Sequence, residues 1–115
     1  MAKVLITGAT GFIGRHVVPK LTNEGWDVLI VSRGGSGQVA LDLEDKEAIS
    51  RFIASTRPDY LLHLAWDVTL GYMENPGNLD WVANSLELLK AFSENGGKRA
   101  VFAGSCVEYD WRYGF

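Results

Sequence analysis

The sequence has a single cysteine, Cys106, only three prolines and no long apolar run. A lone cysteine excludes an intramolecular disulfide framework and fits a reducing compartment. No apolar run approaches the ~18 residues of a membrane span, and the N-terminus lacks the apolar core of a signal peptide. Basic residues are also few, since 11 Lys+Arg against 14 Asp+Glu leave a formal charge of −3. These features favour a cytoplasmic protein with neither a nucleic-acid nor a membrane partner.

The composition that is present is that of an ordinary globular domain. The chain has 115 residues, of which 47% are hydrophobic and 22% are charged. A chain of this length buries enough surface for one core but not for two. We therefore expect a single domain over residues 1–115, without an interdomain linker.

Short apolar segments alternate with segments of helical period along the chain. The apolar runs predict strands at 3–7, 27–32, 39–41, 59–65 and 99–103. Helices are predicted at 12–24, 45–55 and 79–95, with Pro19 expected to weaken or kink the first. This alternation is typical of an α/β fold, a Rossmann-like doubly wound parallel sheet in the order 3-2-1-4-5. Residues 33–38 are too few for a crossover helix, so we predict an extended loop there.

Three glycines, Gly8, Gly11 and Gly14, connect the first strand with the first helix. A helix N-terminus presents unpaired N–H groups and the positive end of a dipole, which together bind phosphate. Gly8 permits the tight turn, Gly11 leaves room for a pyrophosphate, and Gly14 lets the helix lie close to the sheet. The alternative is a glycine-rich turn without a ligand. We favour the phosphate site because the turn follows a strand and opens a helix in a βαβ series.

The turn has the sequence Thr7-Gly8-Ala9-Thr10-Gly11-Phe12-Ile13-Gly14 and resembles the signature of extended short-chain dehydrogenases/reductases, the NAD-dependent epimerase/dehydratase family. Asp42-Leu43 is similar to the acidic segment of this family that takes the adenine amino group. His63-Leu64-Ala65 is similar to the family's H-x-A segment beside the cofactor. Ser105 lies where the family keeps its catalytic Ser or Thr. The resemblance implies cofactor contacts at Gly8, Thr10, Gly11, Phe12, Ile13, Gly14, Asp42, Leu43, Leu64 and Ala65, and a catalytic role for Ser105.

The identity of the dinucleotide depends on Arg33, which follows the second strand 19 residues after Gly14. NAD-binding domains usually have Asp or Glu there, whereas a guanidinium pairs with the 2′-phosphate of NADP. We therefore predict NADP as the preferred cofactor, with NAD as the alternative. Arg33 as a solvated loop charge, or stacked on adenine, would not distinguish the two.

The family's Tyr-x-x-x-Lys pair does not occur in this sequence. In the family it lies downstream of Ser105, so we expect the chain to be the N-terminal part of a longer enzyme and inactive alone. Trp81 stands where we expect the family's Asn, with Asn84 one turn later, which leaves a catalytic Asn open. His63 is interpreted as a hydrogen-bonded core histidine, and no metal site is predicted.

These observations favour the NAD(P)-binding portion of an oxidoreductase, epimerase or dehydratase acting on a nucleotide-sugar-like substrate by hydride transfer. The alternative is a non-catalytic module for NAD(P) sensing or protein interaction. A flavin-binding domain is disfavoured by the Phe12-Ile13-Gly14 pattern. The fifth strand should form an open sheet edge, so we expect a homo-oligomer.

Overall fold

The computed structural model describes residues 2–32, 39–105 and 112, and these form a doubly wound α/β fold. The strands are β1 (Lys3–Thr7), β2 (Asp27–Ser32), β3 (Val39–Ala40), β4 (Tyr60–His63) and β5 (Arg99–Phe102). The helices are α1 (Gly14–Asn23), α2 (Lys46–Thr56) and α3 (Gly77–Glu94), with a 3₁₀ turn at Tyr72–Glu74. All strand pairs are parallel, and the order β3-β2-β1-β4-β5 confirms the predicted topology.

Two apolar layers cover the sheet, one on each face. Alternate residues of β1 serve different layers, because successive strand side chains point to opposite faces. Leu5 joins the layer under α2 and α3, and Val4 and Ile6 join the layer under α1. β1 is therefore buried on both faces, as its continuous apolar run predicted.

The first helix begins later than its apolar spacing predicted. α1 starts at Gly14, and Phe12 and Ile13 lie in the preceding turn with 77% and 53% of their surfaces exposed. The helix continues through Pro19. Proline has no N–H, so the carbonyl of Arg15 loses its partner within the helix, but Arg15 lies at the surface. Gly25 ends the segment with φ 90° and donates to the Thr22 carbonyl.

The third helix has the predicted period, but its buried face differs from its most apolar stripe. Leu79, Val82 and Leu86 are exposed, whereas the side chains that pack against the sheet and α2 include small and polar residues. The buried residues of α3 are Asn84, Ser85, Leu88, Ala91 and Phe92. The spacing of apolar residues thus predicted the helix without predicting which side it buries.

The predicted loop at 33–38 lies outside the described residues. The strands predicted at 39–41, 59–65 and 99–103 are each shorter in the structure than in the prediction. None of the helices in the described parts of the chain combines the length and apolarity needed to cross a bilayer.

Candidate functional site

A cleft of about 770 Å³ opens at the carboxyl ends of the strands. It lies where β1 is flanked by β2 on one side and β4 on the other, so the chain leaves the sheet in opposite directions there. In open α/β sheets this switch point is the usual ligand site. The cleft is lined by Gly8, Thr10, Gly11, Phe12, Ile13, Gly14, Val31, Leu41, Asp42, Leu43, Glu44, Leu64, Ala65, Trp66, Asp67, Val68, Thr69 and Trp81.

The glycine turn is held by close backbone packing. Gly8 has φ 70°, and a Cβ on it would lie 2.7 Å from the amide nitrogen of Ala65. A Cβ on Gly14 would lie 2.3 Å from the Gly8 carbonyl oxygen. The Gly11 amide donates to that same oxygen at 3.1 Å. Glycine is therefore required at positions 8 and 14 by the fold itself.

The N-terminus of α1 is open to an anion. Ile13, the residue before the helix, makes no side-chain capping bond, and the first turn has no acidic residue. Thr10, Gly11, Phe12 and Ile13 are all exposed and line the cleft. The amides of Arg15 and His16 donate to the carbonyl oxygens of Gly11 and Ile13, both at 3.0 Å. Because the first turn has no acidic side chain, the positive end of the helix dipole still faces the cleft.

A buried hydrogen-bond network joins β1, β4 and α3 below the cleft. The Thr7 hydroxyl oxygen accepts from the amides of Leu64 (3.1 Å) and Ala65 (3.2 Å), which leaves its proton for Nδ1 of His63 at 2.6 Å. His63 then carries its proton on Nε2 and donates to the Ser85 hydroxyl at 2.8 Å. The network fixes the first residues after β4 against Gly8 and confirms the core interpretation of His63.

Burial lowers the pKa of His63 from 6.5 to about 4. The unfolded chain therefore binds a proton that the folded chain rejects between these values, and stability falls as the pH drops from 6.5 through about 4. We expect this residue alone to cost about 3 kcal/mol over that range. Urea unfolding from pH 7 to pH 4 measures it, with His63→Gln as the non-titrating control. Parallel pH profiles of the two proteins would contradict the prediction.

The charged groups of the cleft are acidic. Of the described residues that line it, Asp42, Glu44 and Asp67 carry carboxylates and none is Lys, Arg or His. Asp42 accepts from the Glu44 amide at 2.9 Å, and Asp67 accepts from the Thr69 amide at 3.0 Å. Within the described part of the cleft, the attraction for an anionic ligand would therefore come from backbone amides and the α1 dipole.

The structure brings together most of the predicted site residues. All ten expected cofactor contacts within the described residues line the cleft, from the glycine turn, the segment after β3 and the segment after β4. Arg33 lies outside the described residues, as does Tyr109 downstream of Ser105. Ser105 is exposed beyond the end of β5 and does not line the cleft. Asn84 lines a separate depression of about 290 Å³, whereas Trp81 lines the main cleft.

Several residues that line the cleft were not among the predicted cofactor contacts, Glu44 and Trp81 included. The loop after β4 supplies Trp66 to Thr69 as well as the predicted pair before them, and Val31 and Leu41 form the base. The rule that loops at carboxyl ends of parallel strands line the site would have identified the loop residues. Val31 and Leu41 are apolar residues of predicted strands, and the sequence does not distinguish them from ordinary core residues.

The parallel sheet order, the crossovers and the cleft at the switch point define a Rossmann-like α/β domain. The model of the NAD dependent epimerase/dehydratase family matches residues 4–113. The chain therefore belongs to the NAD-dependent epimerase/dehydratase family.

Individual relatives agree with this assignment. UDP-glucose 4-epimerase 2 of Arabidopsis thaliana is 26% identical over 96% of this chain and 39% of its own length. The UDP-glucose 4-epimerase of Thermotoga maritima, solved with UDP-glucose, is 33% identical with a TM-score of 0.73, over 90% of this chain and 38% of that one. The Thermus thermophilus UDP-glucose 4-epimerase in complex with NAD is 30% identical with a TM-score of 0.74, over 90% and 37%. The chain thus spans less than two fifths of each of these relatives.

Proposed function

We propose that residues 1–115 are the cofactor-binding domain of an NAD(P)-dependent epimerase or dehydratase that acts on a nucleotide sugar. The observation that carries the proposal is the open glycine turn, whose exposed residues line a cleft at the N-terminus of α1. The family assignment and the similarity to epimerases solved with NAD or UDP-glucose support it.

The residues of the cleft fit a dinucleotide. Gly11 lines the cleft, and a Cβ there would occupy space that an approaching pyrophosphate needs. Asp42 and Leu43 would contact the adenosine half, and Leu64 and Ala65 the pyrophosphate and the second ribose. A bound nicotinamide would accept a hydride from the substrate, and Ser105 would orient the substrate oxygen. Because Tyr-x-x-x-Lys is missing from this sequence, we expect these 115 residues to bind cofactor without turnover.

Fluorescence titration of the 115-residue chain with NADH and NADPH tests the proposal. We expect saturable binding of both, with NADPH bound more tightly if Arg33 pairs with the 2′-phosphate. Arg33→Ala should then weaken NADPH alone, and equal weakening of both would assign Arg33 to the adenine or ribose. A folded sample that binds neither ligand would overturn the proposal and favour the alternative, a protein-interaction module. A module for NAD(P) sensing would bind both cofactors in the same way, so this titration does not test the catalytic role. The homo-oligomer also stays a prediction.

A further inference from the structure

Two indoles stack on one wall of the cleft. The ring centroids of Trp66 and Trp81 are 5.6 Å apart, and the planes are inclined by 29°. The Trp66 indole N–H donates to the Asn78 side-chain oxygen at 2.8 Å, which restrains the ring. Trp66 nevertheless keeps 38% of its surface exposed. The pair is therefore a fixed aromatic surface that adjoins the space a ligand would fill.

The chain topology places this pair on the side of the cleft away from the expected adenosine contacts. Trp66 follows β4, and Trp81 lies near the start of α3, which leads to β5. Asp42 and Leu43 follow β3, at the other end of the sheet order. A dinucleotide that crosses the switch point has one half on each side of it. With adenosine on the β3 side, the nicotinamide half extends toward the indoles.

The electrostatics of this wall favour a flat cation. The face of an indole carries negative potential and attracts cations more strongly than the other aromatic side chains do. Asp67 follows Trp66 directly and also lines the cleft, and the described lining residues include no basic side chain. The nicotinamide ring is a pyridinium cation in the oxidised cofactor and is neutral in the reduced one.

We propose that the Trp66–Trp81 pair is a stacking surface for the cationic nicotinamide ring, so that this cleft binds the oxidised cofactor more tightly than the reduced one. The inference rests on the proposed function and adds to it a preference for one redox form. A cation–π contact of ordinary strength corresponds to roughly a 3- to 10-fold difference in affinity.

The experiment compares NAD⁺, NADH and ADP-ribose by calorimetry on the 115-residue chain and its variants. We expect NAD⁺ to bind roughly 3- to 10-fold more tightly than NADH, and Trp66→Leu or Trp81→Leu to bring the two affinities together. ADP-ribose lacks the nicotinamide ring, so its affinity should change less than 2-fold, roughly, in every variant. Trp81→Phe, which keeps a flat ring, should retain part of the preference. Trp26→Phe is the matched control, since Trp26 packs against Tyr60 in the layer under α1.

The outcomes separate this inference from the function beneath it. If ADP-ribose and both cofactors bind but the leucine variants leave the NADH-to-NAD⁺ ratio unchanged, the indoles only fasten the loop to α3 and the inference is wrong. If none of the three ligands binds, the proposed function fails as well. Should a leucine variant not fold, tryptophan fluorescence of a chain with Trp26→Phe and Trp111→Phe decides, since Trp66 and Trp81 are then its two remaining indoles. Stronger quenching by NAD⁺ than by ADP-ribose supports stacking, and equal quenching refutes it.

Discussion

Replacing Gly11 with alanine is expected to weaken dinucleotide binding at least about 100-fold while changing the free energy of unfolding by less than about 1 kcal/mol. Gly11 does not have a positive φ, and an added Cβ would meet only the Gly8 carbonyl oxygen, at 3.3 Å. The folded chain therefore accommodates the methyl group with a small adjustment. A bound pyrophosphate would not be accommodated, because the methyl group would occupy the space through which the proposed ligand approaches the turn.

The prediction is checked by NADH titration and urea unfolding of the same variant. Gly77→Ala is the matched control, because Gly77 opens α3 outside the cleft and the three atoms nearest to its added Cβ all belong to the side chain of Asn75, at 3.1 Å or more. The control should bind NADH as the parent chain does. Undiminished binding by Gly11→Ala would show that no diphosphate reaches this turn, and a large loss of stability would show that Gly11 serves the fold instead.

Much of the fold could be predicted from local signals. The buried run at Val4–Ile6 and the three glycines after it each lie within one short segment. Each can therefore be recognised without knowing how distant parts of the chain pack. The sheet order then follows from the alternation of strands and helices, since right-handed crossovers allow few arrangements. The glycine-turn part of the cleft was predictable for the same reason.

The aromatic wall of the cleft was not predictable in this way. Trp66 and Trp81 are 15 residues apart, in a loop and a helix whose relative placement depends on how α3 packs. The packing of α3 was itself hidden, because its exposed Leu79, Val82 and Leu86 have the helical spacing usually found on a core face. Exposed apolar residues at that spacing show that period alone does not identify the buried side.

The hydrogen-bond network below the cleft could be predicted from the sequence only in part. A polar residue inside an apolar strand, His63, already predicts a buried hydrogen-bonded group. Its partners Thr7 and Ser85 come from other elements, and only the structure shows that they join β1 and α3 to the end of β4. This network, together with the close approach of Gly8 to Ala65, gives the exposed residues of the turn a rigid support.

Replacing Gly14 with alanine is expected to destabilise the folded chain by about 3 kcal/mol or more, whereas Gly11→Ala should leave its stability nearly unchanged. An added Cβ would lie 2.3 Å from the Gly8 carbonyl oxygen and 2.6 Å from the Cα and carbonyl oxygen of Ala9, all backbone atoms. No rotamer change relieves such a contact, so α1 must move away from β1 or the turn must open. Urea unfolding should show a lower midpoint, and NADH binding should fall because the amides of the turn move with it. A midpoint equal to that of Gly11→Ala would contradict this account, because the close approach of α1 to the turn would then not require glycine.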